Sequence, residues 1–576
     1  KQQHQSVPEK IKQRHHIKIN RQKNRGLIKS PLLIADIAYG VCSMKINIKS
    51  IRYGAFILTV GNICSQLLGF VYRIALSRLI GSEGMGLFQL IFPFYSLALT
   101  ITVSGIGVAV SKLTAEYMAL RNYEAIRMLV KRAIIVFVCI FSVLSLIVLL
   151  FAKGIANVFL GDERTLLAIY ALLPVILLTG IENIHKHFFY GSREFNPPAL
   201  SDLLEQIIRM SAVLLLLRLL LPQPDELMLV IIVTGMLICE IFSSVFLKTV
   251  YRHRMRKMPS TGKVESRLSA RIGKIAVPIS LAGLCNNLLS SLIFIIIPRR
   301  LVVSGMSYSQ ALSSYGVLFG MTLPLLNLPS AMIVGLGLVM VPKLSEDLAL
   351  GNIKDVRSKI SRAITTASFL ILPAVAVLVP LGPQIGRLLY GQNVSEELLL
   401  PLAMSTVFSL YMFVLGNILN GLGKQTAASV NHIAGNALEL ILTYYLTAVP
   451  ELGIYGFIIA SIVTTLLTAA LNLRKVIKST GMKADWRNWF VTPGLSALAS
   501  AFWCRWVYLR AVDLIGNTAA LIPALLTAIL VYLLAVSLQG GFRMNYIIGN
   551  RTARKFRDTK ALADSNKQTE MQITQA

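Results

Sequence analysis

The sequence predicts an all-α, multi-pass membrane protein of about 14 transmembrane helices, in two parallel six-helix repeats around a central cleft, with two helices added at the C-terminal end. Three observations carry that expectation. The 576 residues are 55% hydrophobic and 15% charged, with a mean hydropathy of +0.65, where soluble proteins have roughly 45–50% and about 25%. Apolar runs long enough to cross a bilayer follow one another along the chain. A pattern in the first half returns in the second.

In order, the runs fall at 53–77, 86–110, 133–152, 166–189, 199–220, 227–248, 275–298, 310–340, 362–386, 397–419, 426–448, 452–473, 488–509 and 516–538. Each approaches the roughly 20 residues a spanning helix needs. Residues 1–43 are polar and basic, and their one apolar patch, PLLIADIAYGVC, is too short to span. We read them as a disordered basic tail or an over-extended start, because Met44 opens MKINIKS just ahead of the first run. They lack the charged, apolar, small-residue order of a cleavable signal peptide. The remaining divisions are an N-terminal lobe at 44–260, a C-terminal lobe at 261–480, helices 13 and 14 at 481–542 and a polar tail at 543–576.

A formal charge of +30 in a soluble protein would suggest nucleic acid. Here the cations lie between apolar runs, in every second loop. SKLTAEYMALRNYEAIRMLVKR, KTVYRHRMRKMPSTGKVESRLSARIGK, PKLSEDLALGNIKDVRSKISR and RKVIKSTGMKADWRN are basic. GSEGMG, NVFLGDE, LPQPDE, SGMSYSQ, YGQNVSEE, VPELG and DLIGN are short and poor in Lys and Arg. Placing the basic set in the cytoplasm satisfies the positive-inside rule with both termini inside a plasma membrane. The partner this implies is the bilayer, with no nucleic acid. The six cysteines show no metal-ligand spacing, and five lie inside apolar runs as reduced thiols.

The internal repeat joins SGIGVAVSKLTAEYMALRN at 104–122 to VGLGLVMVPKLSEDLALGN at 334–352. KRAI at 131–134 returns as SRAI at 361–364, and YGSREFNPPALS at 190–201 matches NGLGKQTAASVN at 420–431. The copies close spans 2 and 8, so six spans separate them and both lobes point the same way. Both copies share K-L-[ST] followed by A-L, after four residues in the first and three in the second, in what reads as a polar loop, where apolar composition alone cannot produce it.

CSQLLGFVYRIALSRLIGSEGMGLFQL, SGIGVAVSKL and YGSREFNPPALSDLLEQIIRM together resemble the stage V sporulation protein B group of polysaccharide and lipid-linked oligosaccharide flippases. These are relatives of the lipid II flippases and more distantly of the multidrug and toxin extruders. The resemblance covers about residues 44–545. It implies a cleft that carries a polyprenyl-diphosphate-linked sugar, a lipid II-like precursor of wall or polysaccharide, from the inner to the outer leaflet by alternating access. The lipid II flippases carry an arginine where this chain has Gln66.

Ionisable side chains inside spans are costly and therefore mark function by default. The candidates for substrate binding are Arg73, Arg209, Glu205, Glu439, Glu182 and Asn286. Arginine suits a diphosphate because its planar fork pairs two oxygens. Arg73 is too deep in its run to snorkel freely, whereas Arg78 reads as an interface anchor. Glu205 and Arg209, at i and i+4, either neutralise each other or serve the cargo. His185 and Lys186 read as boundary residues. Glu439 stands in repeat register with Arg209, so the two either face one another across the cleft or Glu439 is satisfied by Asn436 or Tyr444. Asn286 and its neighbours serve as interhelical glue or as sugar contacts. Pro93, Pro278, Pro324, Pro329 and Pro373 break backbone hydrogen bonds at membrane depth, which points to movement.

No outer loop is long enough for an enzyme's catalytic groups, and no phosphate-cradling loop, nucleophile triad or metal cluster stands out. The reading is a transporter without enzymatic activity or cofactor, taken as a monomer and driven by a coupling ion, H+ or Na+, or by the membrane potential. A cation-coupled drug or metabolite antiporter of the same superfamily is the alternative.

Overall fold

The computed structural model describes residues 51–220, 222–259, 267–391 and 396–539. The tails at 1–43 and 543–576 and the centre of the basic linker between the lobes lie outside the described residues. Among those residues all regular structure is helical. The helices are α1 (Ile51–Leu99), α2 (Gly105–Ala119), α3 (Tyr123–Gly154), α4 (Leu166–Gly191), α5 (Asn196–Leu220), α6 (Asp225–Arg256), α7 (Leu268–Val303), α8 (Tyr308–Tyr315), α9 (Leu323–Leu326) and α10 (Ser330–Ala349). They continue as α11 (Ile353–Tyr390), α12 (Glu396–Gly421), α13 (Gln425–Leu446), α14 (Ile454–Thr480), α15 (Thr492–Ile515) and α16 (Leu521–Leu538).

Breaks in this series explain how it makes 14 crossings. α1 holds span 1 and most of span 2, divided where Gly81 takes φ 70 and ψ −174, a conformation open to glycine alone. A π-turn at Thr100–Ser104 joins α1 to α2. Span 8 is the most interrupted: α8, a π-turn at Gly316–Thr322, the four residues of α9, then a turn before Pro329 and α10. Nine helical stretches meet a strict test of length and apolarity, one of them covering both spans 1 and 2. α5 fails it through its charged residues Asp202, Glu205, Arg209 and Arg218, and α13 through its polar ones. Both helices line a shared cavity, described below.

The repeat is written in the backbone. Tyr123 and Ile353 start α3 and α11; Gly191 and Gly421 end α4 and α12. Left-handed residues terminate helices at Arg121 and Gly351, Gly161 and Gly391, and Arg193 and Gly423, all at the offset that separates Ser104 from Val334. The two quoted stretches close alike: Leu120 donates to Glu116 and Asn122 to Tyr117, as Leu350 does to Glu346 and Asn352 to Asp347. One expectation changes here. The K-L-[ST] pattern is not a loop but the last turns of α2 and α10, where Leu113 and Leu344 are fully buried. The connecting turn is three residues, because a helix continues past its apolar run wherever its polar face meets water.

Between helices in lipid, close packing replaces the hydrophobic effect as the main attraction, so small residues sit at the crossings. A methyl at Gly180 of α4 would stand 2.0 Å from Phe137 of α3, and one at Gly235 of α6 would stand 2.4 Å from Val213 of α5. At the end carrying the short loops, Gly86 meets the Leu312 carbonyl and Gly316 the Ser82 carbonyl, which presses span 2 against span 8.

Candidate functional site

Between the lobes, within the spanning region, lies a cavity of about 1010 Å³ lined from α1, α5, α6, α7, span 8, α12, α13 and α14. Its charged lining consists of Arg73, Arg209 and Glu439. Amides surround them: Asn62, Gln66, Gln89, Gln206, Asn287, Asn327 and Asn436. The broken segment of span 8 contributes Leu323, Pro324, Asn327 and Ser330. Irregular backbone at this depth is tolerated where it borders a cavity.

Arg73 is half-buried, and the side chains acting on it electrostatically are the phenols Tyr390 and Tyr72. Among the described residues no carboxylate is paired with it. Arg209 differs. Its Nη2 donates to Glu205 one turn earlier and lies 3.5 Å from Glu240 of α6, and it also bonds Cys239. Its Nε is buried and has no partner.

Behind the cavity wall Arg209 belongs to an ion network that the sequence does not announce. Lys186 Nζ lies 2.8 Å from Glu182, 2.6 Å from Asp202 and 3.4 Å from Glu205. Lys186 is not a boundary residue: its side chain is 14% exposed and those of Glu182 and Glu240 are 1% exposed. Glu182 also accepts from Ser243. The carboxylates Glu182, Asp202 and Glu205 come within 4.8 Å of one another, as do the ligand atoms of Glu205, Cys239 and Glu240. Lys186 holds the first triad and Arg209 the second. An isolated buried charge is very costly, so each cation and its acids exist at this depth through one another.

Glu439 does not meet Arg209. Its carboxylate bonds Ser461 and Thr464 of α14, and Ser461 in turn lies 2.7 Å from Ser405. Neither Asn436 nor Tyr444 supplies its bonds. The register that paired Glu439 with Arg209 in sequence puts them on two walls of one cavity, each served by its own lobe.

The remaining candidates separate cleanly. Glu205 and Glu182 stand behind the wall, holding Arg209 and Lys186. Asn286 also lies off the lining and bonds His432 Nδ1 at 3.3 Å, linking α7 to α13. Its neighbour Asn287 faces the cavity and donates to Ser96 at 2.9 Å and Thr100 at 2.5 Å. With two adjacent asparagines, sequence cannot tell which of two positions on a helix faces inward.

At the short-loop end several bonds tie the two lobes together. Arg78 does not snorkel; it donates to the Leu389 carbonyl at 2.7 Å and the Leu388 carbonyl at 2.5 Å, tying span 1 to span 9. Arg164 reaches Asp162 at 2.9 Å, Glu83 at 3.0 Å and Asp225 at 2.5 Å. Ser309 donates to the same Glu83 at 2.6 Å, and Tyr390 to the Met321 carbonyl at 2.9 Å.

Comparison with known proteins agrees with this architecture. The family described as "Polysaccharide biosynthesis protein" matches residues 51–346. Stage V sporulation protein B of Bacillus subtilis is 28% identical over 74% of this chain and 83% of its own length. The lipid II flippase MurJ of the same organism is 26% identical over 68% of this chain and 76% of its own. Among solved structures, a lipid II flippase MurJ in an inward closed conformation superposes with a TM-score of 0.61 at 15% identity, over 84% of this chain and 98% of that one. An inward-facing multidrug resistance MATE family transporter of the MOP superfamily gives 0.61 at 15% identity, over 75% and 100%.

Proposed function

Because the chain belongs to the polysaccharide biosynthesis protein family, we propose that it is a flippase carrying a polyprenyl-diphosphate-linked sugar through the cavity between its lobes. The observation that carries this reading is Arg73, a cation lining a cavity within the spanning region with no carboxylate of its own. Placing such a charge at this depth is costly. An anionic cargo offsets that cost and a cationic drug raises it.

In this reading Arg73 takes the diphosphate, with Arg209 beside it on the cavity lining. Bidentate hydrogen bonds from guanidinium to phosphate are short and charge-assisted. The lining amides bond sugar hydroxyls. Glu439, with its hydroxyl neighbours Ser461 and Thr464, takes the coupling cation, H+ or Na+. The basic loops lie in the cytoplasm, so the bonds of Arg78, Arg164 and Tyr390 lie on the outer side and the cavity loads from the inner leaflet.

Reconstitution in proteoliposomes tests the reading. A polyprenyl-diphosphate disaccharide supplied on one leaflet should become accessible to a glycosidase on the other only when the protein is present. A cationic drug should not be transported. Drug transport with no movement of the lipid-linked sugar would make the antiporter the correct assignment. Orientation is tested separately with single cysteines at Ser260 and Ser395, which lie outside the described residues, in a background without native cysteines. An impermeant thiol reagent on intact cells should label only the second.

A further inference from the structure

A second pocket, of about 640 Å³, opens where α13 begins and α14 ends, at the end of the molecule that carries the basic loops. It is lined by Gly423, Lys424, Thr426, Ala427, Val430, Asn431, Leu471, Arg474, Lys475 and Lys478. Four of these ten side chains are cations and none is a carboxylate. Among the described residues none of the four has an acidic partner. α13 starts at Gln425 with no side chain capping its first turn, so its free amides and its dipole add further positive potential at the same place.

These cations have no structural task at the end of α14. That helix is already closed by the left-handed Gly481, whose amide bonds the Ile477 carbonyl, and by Arg357, whose Nε donates to the Thr480 carbonyl at 2.8 Å. A stripe of apolar side chains runs from the pocket along α14. Leu471, Leu467, Val463 and Ile459 recur every fourth residue and are 37%, 44%, 44% and 40% exposed. Val430 on α13, 57% exposed, forms the facing wall. A basic rim above an apolar track is the chemistry of an anionic lipid with its headgroup at the interface and its acyl chains alongside the protein. Basic pockets between helices on the cytoplasmic side of a membrane are known to recruit such headgroups.

We propose that this pocket binds the phosphate headgroup of an anionic phospholipid of the inner leaflet, with an acyl chain along the α14 stripe. The site is distinct from the cavity between the lobes. The leaflet rests on the orientation given under Proposed function, while the binding itself does not.

The test is lipid retention by the full chain, extracted from vesicles of phosphatidylcholine mixed equally with phosphatidylglycerol and read by native mass spectrometry. The wild type should retain phosphatidylglycerol over phosphatidylcholine by at least about tenfold. That preference should collapse in the variant K424Q/R474Q/K475Q/K478Q, and fall part-way in K424Q/K478Q, which keeps two of the charges. Inorganic phosphate should not compete. Equal retention of the two lipids by the wild type, or an unchanged preference in the fourfold variant, would overturn the proposal. So would displacement by inorganic phosphate, which makes the site one for soluble anions, or selective displacement by a polyprenyl diphosphate, which makes it a cargo site. None of these readings measures transport, so failure here leaves the flippase assignment standing, and failure of transport leaves this site standing.

Discussion

The two lobes share a backbone plan but hold their inner helices together by opposite means. In the first lobe Glu182, Lys186, Asp202, Glu205, Arg209 and Glu240 form a buried ion network. At the equivalent places the second lobe has Met412, Gly416, His432, Gly435, Glu439 and Ala470. Where Glu205 reaches for cations, Gly435 lets α13 approach α14 so closely that a methyl would stand 2.3 Å from Thr468 Oγ1. One lobe is braced by charge, the other by contact. Each still presents one charge to the cavity from the same register, Arg209 from one side and Glu439 from the other. In the function proposed above, that asymmetry gives the anionic cargo and the coupling cation different walls.

The comparison is broken most directly at Lys186. Lys186→Met leaves Glu182, Asp202 and Glu205 without their cation, which should cost about 3–5 kcal/mol, read as an early thermal transition in detergent. Adding Glu182→Gln should recover part of the loss. Wild-type stability in the single variant would mean that the network does not brace the lobe. In the second lobe Gly435→Ala forces α13 and α14 apart and should cost about 1–3 kcal/mol. A neutral result would show that Thr468 rotates away and that the contact is loose.

Arg209→Gln and Glu439→Gln should be additive to within about 0.5 kcal/mol in a double-mutant cycle, as expected of sites without shared partners. Arg209→Gln with Glu205→Gln should be strongly non-additive. A large coupling in the first cycle would mean that the two walls meet after all. The smallest effect is expected at Arg193, held at φ 59 where its counterpart Gly423 has φ 71. Arg193→Gly should raise stability by up to about 1 kcal/mol, since a left-handed arginine carries a steric penalty that glycine lacks.

The spans, their order and the repeat were legible because they depend on apolar length and on a shared offset. Arg73, Arg209 and Glu439 stood out for a related reason: a charge within an apolar run is rare at any depth. Sequence could not place Lys186. It lies near the end of its run, where a lysine ordinarily reaches water, and only the approach of Asp202 and Glu205 from α5 makes it a buried bridge. Nor could it show that Arg78 bonds the backbone of span 9, since carbonyl acceptors have no signature in side-chain pattern. The pairing of Arg209 with Glu439 failed because register fixes height in the membrane and says nothing about distance across a cleft.

The central claim is that the unpaired Arg73 receives the cargo's diphosphate. It is tested most directly by transport of a polyprenyl-diphosphate sugar in proteoliposomes with Arg73→Ala and Arg73→Lys, each first shown to be inserted and as thermally stable as the wild type. The account predicts loss of transport with alanine and partial recovery with lysine, which restores the charge without the planar fork. Normal transport by Arg73→Ala would contradict it.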